Sequence, residues 1–526
     1  MALALGALAT AFVSHAAAQT TDPFQPTFTD PRNVQRFGRP PDGVTRSTQP
    51  VILPPLSGGA GETGFDSTGS IRKKKIVKRK PGEKHLGTTS PKPGAKTTTT
   101  TTAPLSSQPL ASRSNAPQVA ARASYADAFK PPDAAPRPRR PLIPFQEAYD
   151  PIGIRAGDFL LRPSIEITRG IDSNPARVQN GTRSWFTTIA PELQARSQWS
   201  RHELGANLRG SYNVYDSSPS TPSLNRPSAD AKVFGRLDVT RDTRFDLEGR
   251  FLVGTDNPGS PNLTAGLAKL PIYTTYGGTV GVAQRFNHLE LGVKAGVDRT
   301  TYRDSQLTDG STFSNHDRDY NQYGGQARVS YEVTPGVKPF VEIGADRRIH
   351  DLAIDRNGVQ RDSRALTPKL GTTFELTRIL TGELSVGYLT RSYQDPALQP
   401  LRGAVADGSL IWVASGLTTA TLTASSRAEE SIVAGISGSL RRDAGVQVDH
   451  AFRRWLIGTV KLGYGTEQFV GSIRADTRTS LGAALAYKFN RDWQLKGEVR
   501  QEWMRSNVAD VGYRASIFML GLKWQR

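Results

Sequence analysis

The amino-acid sequence predicts an all-β protein: a transmembrane antiparallel up-and-down β-barrel of about 18 strands, with 16 as the alternative count, preceded by a disordered Pro/Thr/Lys-rich segment. Three observations carry this expectation. Segments with apolar/polar alternation of period two follow one another from Gly157 to the C-terminus. The connections between them alternate between long and short. No stretch approaches the ~20 continuous apolar residues of a membrane helix, so a bilayer crossing here must be made with strands.

Composition sets the bounds. The chain has 526 residues and no cysteine, which removes disulfides and thiolate metal sites from consideration. Mean hydropathy is −0.44. That value suits a barrel, because each strand offers only alternate residues to lipid. The formal net charge is +19, unevenly spread: residues 1–150 carry 20 Lys+Arg against 10 Asp+Glu, and residues 151–526 carry 47 against 38.

Residues 1–18 read as a signal peptide. Ala2 to Val13 is a short apolar run, and Ala16, Ala17 and Ala18 form a small-residue cleavage site before Gln19, although no basic residue precedes the run. Residues 19–150 hold Pro, Gly, Ser and Thr throughout without sustained periodicity, which predicts a disordered basic periplasmic segment. Within it, Arg72, Lys73, Lys74, Lys75, Lys78, Arg79 and Lys80 form a cationic block, and Thr97 to Thr102 is an unbroken threonine run of linker character. Behind an export signal such a block argues against nucleic acid. It is either a solvated charge run or a contact for a polyanion outside the cytoplasm, such as lipopolysaccharide, anionic lipid or an acidic cell-wall polymer.

The barrel is expected over residues 151–526, with strands at 157–170, 183–197, 201–215, 230–241, 244–255, 273–286, 288–303, 319–333, 337–350, 362–377, 380–393, 402–414, 417–427, 432–449, 453–466, 473–489, 492–505 and 512–525. The penultimate one shows the pattern most clearly. Trp493, Leu495, Gly497, Val499, Gln501 and Trp503 alternate with Gln494, Lys496, Glu498, Arg500 and Glu502. Its two Trp are separated by about 25 Å along the membrane normal at a tilt of ~40°, the height of an apolar band between two aromatic girdles. Phe245 to Val253, Leu289 to Val297 and Leu481 to Phe489 repeat the alternation.

Long links follow odd-numbered strands, at 172–183, 216–228, 256–271, 304–318, 351–361 and 394–400; short ones follow even-numbered strands, at 198–200, 241–243, 287, 334–336, 378–379, 415–416 and 490–491. The late long links near Val470 and Val508 shorten but are expected to exceed their short neighbours. Tight periplasmic turns alternating with larger outer loops are the layout of an outer-membrane barrel. A soluble sandwich rarely needs strands this long in such number, and no blade-sized repeat of ~40–50 residues marks a propeller. An even count places both barrel ends in the periplasm.

If the apolar faces meet lipid, the charged faces turn inward. The expected lumen-lining set is Lys496, Glu498, Arg500, Glu502, Asp246, Glu248, Arg250, Arg236, Asp238, Lys294, Glu342 and Lys461, with Asp298 and Asp346 beside them; Trp493, Trp503, Tyr487 and Trp524 are the expected lipid-girdle residues. Alternation leaves two readings of the inward charges: rings that face solute, or pairs across strands that stiffen the wall. A barrel of this size normally keeps an aqueous lumen. A loop such as 256–271 could fold inward as a constriction, but nothing in the sequence selects it.

No catalytic, cofactor-binding or metal residues are expected. The seven His show no ligand spacing, no Ser–His pair is singled out, and the four Asp of Asp304 to Asp319 lack the spacing of a calcium loop.

Entering the first strand, the chain reads RAGDFLLRPSIEI from Arg155 to Ile167; the last strand closes with RASIFMLGLKWQR from Arg514 to Arg526. On these stretches the chain resembles the putative β-barrel porin 2 family of Gram-negative outer membranes, over roughly residues 152–526. Barrels of this kind generally end in an aromatic residue read by the barrel-assembly machinery; Phe518, Leu520, Leu522 and Trp524 alternate suitably, but the last residue is Arg526. The resemblance implies a channel-like protein of the outer membrane, in contact with outer-membrane lipid and lipopolysaccharide, and supplies no catalytic residues or cofactor. The expected function is passive diffusion of small hydrophilic solutes. One alternative is a conduit or accessory of extracellular polysaccharide export, a system with which such proteins are associated. Another is an envelope anchor whose basic tail binds an anionic wall polymer.

Overall fold

The expected array of staves closes on itself. The computed structural model describes residues 149–216, 222–376 and 379–526; the expected signal peptide, the basic segment up to residue 148 and the cationic block 72–80 lie outside the described residues. The first staves are β1 (Phe159–Asp172), β2 (Ser184–Ser197), β3 (Glu203–Tyr215), β4 (Arg226–Asp238), β5 (Thr243–Thr255) and β6 (Ile272–Phe286). Next come β7 (Leu289–Tyr302), β8 (Tyr320–Tyr331), β9 (Val337–His350), β10 (Ser363–Leu376), β11 (Leu380–Tyr393) and β12 (Leu401–Trp412). The wall ends with β13 (Thr418–Glu430), β14 (Gly438–Arg453), β15 (Leu456–Val470), β16 (Ala475–Lys488), β17 (Trp493–Ser506) and β18 (Tyr513–Gln525).

Each stave pairs antiparallel with its neighbour in sequence, and β18 pairs with β1 from Gln525 opposite Ser164 to Ile517 opposite Asp172. The ladder therefore has no free edge, the condition for a sheet in hydrocarbon. Before β1, Ile154–Ala156 folds back on Phe159, Leu160 and Leu161 across Gly157, whose φ of +59° suits glycine. Asn287 takes φ 54° in the tight β6–β7 turn, a conformation that asparagine tolerates.

Most expected strands lie within two or three residues of the observed ones. Three differ. The fourth stave starts earlier, at Arg226, and the fifteenth runs on to Val470, beyond the expected end at residue 466. The fourteenth begins at Gly438, not at residue 432, and ends beyond a register shift between Ala451 and Arg453. Ile432, Ala434 and Ile436 alternate as a strand would but belong to a loop. The expectation about late links holds only in part, since 471–474 is no longer than the turn 489–492.

The two faces separate by exposure. On β17 and β18, Val499 is 43% exposed and Leu520 58%, while Lys496 and Glu498 are 2% and 5% exposed. Ion pairs join the shielded face of staves that are not neighbours, Lys496 on β17 to Glu166 on β1 and Arg328 on β8 to Glu383 on β11. Only the concave side of a closed sheet brings such staves together, so the charged face is the inside. Outside, Trp493 stands directly opposite Trp524, Tyr487 packs against Trp455 with ring centroids 5.0 Å apart, and Trp503 is half-buried.

This assignment of faces predicts that Val499→Arg costs about 2–4 kcal/mol of barrel stability. Reversible urea unfolding from lipid vesicles measures it, and a cost near zero would mean that the faces are reversed.

Candidate channel interior

Every expected lumen residue lies on the shielded face. Lys496 Nζ is 3.0 Å from Glu166 Oε2. Arg500 Nε is 3.1 Å from Glu502, whose other oxygen is 3.1 Å from Arg177 Nε. Asp246 is 3.4 Å from Arg244, and Glu248 is 2.7 Å from Lys232. Arg250 donates two hydrogen bonds of 2.9 Å to the two oxygens of Asp298. Arg236 lies 3.2 Å from Asp238. Arg328 holds Glu342 at 2.6 Å and forks onto Glu383 at 2.7 and 2.9 Å. Asp346 accepts from Arg391 at 2.7 Å. Glu498 is buried and Lys461 half-buried. Lys294 is also half-buried but has no carboxylate partner within 4.0 Å among the described residues. Pairing, along a stave as in Arg236–Asp238 or across staves as in Arg250–Asp298, is thus the rule inside this barrel. It is physically required where burial is this deep, since deleting one partner of such a pair costs about 3–5 kcal/mol.

At the long-loop end the wall is not a simple cylinder. The β12–β13 ladder covers only five pairs, from Gly408–Ala424 to Trp412–Ala420. Beyond it, the outer ends of β13 and β14 pass inside their neighbours. By alternation Glu430 and Leu440 are on the outward faces of β13 and β14. Yet Glu430 pairs with the inward Arg348 of β9, and Leu440 is buried against the inward Leu389, Leu401 and Val405. Two glycines permit the overlap. A Cβ on Gly403 would meet Leu440 Cδ2 at 2.4 Å, and one on Gly438 would meet Tyr393 Oη at 2.8 Å. Side chains occupy the parted edge, where backbone groups need partners. Ala406 N donates to Ser426 Oγ at 2.9 Å, Ser426 N to Asp407 Oδ1 at 3.0 Å, and Arg442 Nε to Ala404 O at 2.8 Å.

Loop 256–271 meets this tucked hairpin from the opposite wall. Asn262 lies between β5 and β6; its Nδ2 donates to Glu430 O at 3.2 Å, and its Oδ1 accepts from Ser431 Oγ at 3.1 Å and Ile432 N at 3.2 Å. Seven staves lie between β5 and β13 around the wall, so this contact crosses the mouth. Other loops lock onto it. Ala268 N donates to Gln306 O at 2.8 Å, Arg318 holds Asp256 at 2.9 Å, and Asn357 Nδ2 donates to Ile432 O at 2.8 Å. Leu263 and Leu270 pack with Phe186, Tyr215, Leu224, Ile517 and Met519. Burial works against the Arg318 charge, but Asp256 and Tyr302 outweigh it and push the guanidinium above its usual range. Arg177 behaves likewise between Glu502 and Asp172.

Sequence reasoning named 256–271 as one loop that could fold inward without a ground for choosing it. It missed the tucked hairpin altogether. One signal was present: Ser426, Ala428 and Glu430 occupy three successive outward positions of β13 without a large apolar side chain.

Matched against protein families, residues 147–526 fit the one described as Putative beta-barrel porin 2. The chain belongs to that family. It is therefore a porin-type outer-membrane β-barrel. No curated protein matches it. Among solved structures it is similar to OpdL of Pseudomonas aeruginosa, at 13% identity and a TM-score of 0.35, with 70% of this chain and 99% of that chain covered. A BenF-like porin from Pseudomonas fluorescens Pf-5 gives 13% and 0.37 with 70% and 99% covered. Pseudomonas aeruginosa OccK2 (OpdF), in complex with glucuronate, gives 14% and 0.37 with 70% and 98% covered. Superposition at this level is loose, and the architecture rests on the closed ladder itself.

Two outcomes follow from the mouth. Asn262→Ala combined with Asn357→Ala removes the side-chain contacts across it, and single-channel conductance should rise by about twofold or more if each lost hydrogen bond contributes ~1 kcal/mol to the closed arrangement; an unchanged value would place the crossing off the ion path. His316 Nδ1 lies 3.0 Å from Asp319 Oδ2, and this hydrogen bond raises the imidazole above its ordinary range. Its stabilisation is present below ~6.5, the unfolded value, and is lost as pH rises through the higher folded value. Loop 303–319 should accordingly resist limited proteolysis better at pH 6 than at pH 8, and His316→Ala should abolish the difference.

Proposed function

We propose that this barrel passes small hydrophilic solutes by passive diffusion across the outer membrane, with the long loops outside and the N-terminal segment in the periplasm. The observation that carries the reading is a closed wall whose inward face is charged on nearly every stave and internally neutralised. Such a wall holds water and polar solutes without presenting one dominant sign. The start of β1 and the end of β18 are both at the short-turn end, which supports a periplasmic tail. Conduit transport of polysaccharide fits less well, because a polymer would have to part the Asn262 contacts and the tucked hairpin. The anchor reading rests on the block 72–80, outside the described residues.

Purified full-length protein in planar bilayers should give discrete ohmic conductance steps. If it never conducts, even with residues 19–150 removed, the diffusion reading fails. Lys294→Glu reverses a luminal charge that has no ion-pair partner among the described residues, and should move the reversal potential in a salt gradient toward cation preference. No movement would remove Lys294 from the solute path.

A further inference from the structure

The arginines of this barrel fall into two populations. Those inside meet carboxylates, as described above. On the outward faces of the staves themselves, at the long-loop end, the charged side chains among the described residues are arginines alone, apart from Glu430, which is tucked under to Arg348. Of these, Arg169 pairs with Asp216 and Arg299 with Asp351, and Arg442 bonds Ala404 O. Arg505 and Arg514, on β17 and β18, and Arg347, Arg364 and Arg402 are exposed and have no carboxylate partner among the described residues; the last three lie on three of four successive staves. They sit on β9, β10 and β12, each within three residues of the stave's long-loop end. Arg347 and Arg364 are directly opposite one another in the ladder. The β11 stave between Arg364 and Arg402 contributes only hydroxyls at this level, with Ser392 opposite Arg364 and Thr390 opposite Arg402.

Two like charges directly opposite on one sheet face are unfavourable when nothing neutralises them. Neighbouring staves are ~4.8 Å apart, so the three guanidiniums span about 15 Å of wall. Just below them lie apolar side chains at lipid depth, among them Leu366, 52% exposed, and Ile343, 50% exposed. A ligand that neutralises the cluster must therefore carry several negative oxygens at the edge of the hydrocarbon and have acyl chains beneath. Guanidinium forks match phosphate oxygens, and flanking hydroxyls suit a sugar. We propose that Arg347, Arg364 and Arg402, with Thr390 and Ser392, form a binding site on the outer wall for the phosphorylated sugar headgroup of an outer-leaflet glycolipid, that is, the phosphates of lipopolysaccharide. The site goes beyond the channel reading and does not depend on conduction; it rests only on the orientation proposed above, with the long loops outside.

The test uses full-length protein in detergent, titrated with rough lipopolysaccharide, with the same glycolipid after phosphate removal, and with phosphatidylglycerol. Each arginine near a phosphate is expected to contribute about fivefold in affinity, so Arg347→Gln with Arg364→Gln should weaken binding about 25-fold. The equal-charge pair Arg505→Gln with Arg514→Gln, on the distant β17 and β18, should change it less than threefold. Heat-modifiable electrophoretic migration checks that each variant remains folded; all four side chains are exposed. Equal loss in both pairs would replace the site with a diffuse basic collar and overturn the proposal. Undiminished binding of the dephosphorylated glycolipid, or equal binding of phosphatidylglycerol, would overturn it as well.

Discussion

Closure of the hydrogen-bond ladder is the constraint from which the rest follows. In hydrocarbon no backbone N–H or C=O can be left to water, so the sheet must return to its first strand, and the β18–β1 pairing does so. Once the ring is shut, period-two alternation becomes a radial sorting of side chains. Apolar groups such as Val499 and Leu520 go out, and Lys496, Glu498 and their like go in. The inner surface then carries a high density of both signs in a confined space, where lone charges are costly and paired ones are tolerated. Arg250–Asp298, Arg328–Glu383 and Lys496–Glu166 are the consequence. They tie staves that the ladder does not join, and so brace the wall as well as neutralise it.

The same constraint makes the departure at β12–β13 informative. A parted ladder leaves main-chain groups without strand partners, and the barrel meets the need with Ser426, Asp407 and Arg442. What is gained is a hairpin end inside the lumen, seated on Leu389, Leu401 and Val405 and reached by Asn262 from the far wall. The mouth is thus organised by two devices of different physical kind. One is apolar packing under a glycine-permitted overlap; the other is a small set of amide hydrogen bonds, each modest in net strength. The second is the weaker of the two and the more easily rearranged.

The outer wall shows the converse of the interior rule. Inside, charge is compensated by the protein itself. At the long-loop rim, Arg347, Arg364 and Arg402 are left for the surroundings to compensate. A sheet tolerates such a cluster where its environment supplies anions, as a leaflet of phosphorylated headgroups does.

By itself the sequence determined the strand array, the sorting of faces and the alternation of turns and loops, because all three are local: period two is written in each stretch, and turn residues such as Asn287 act within a few positions. That the charged residues from Asp246 to Glu502 share one face of the sheet, and Trp493 and Trp524 the other, was legible for that reason. Partners were not. Whether Arg328 faces solute or Glu383 depends on which staves the curvature brings together, 55 positions apart. The hairpin's place inside the wall depends on Gly403 and Gly438 meeting Leu440 and Tyr393, which no window of sequence contains. Ile432, Ala434 and Ile436 even imitate a strand. Tertiary structure alone decided that loop 256–271 crosses the mouth, because the choice rests on contacts between Asn262 and residues 430–432 across the diameter of a ring that exists only once it has closed.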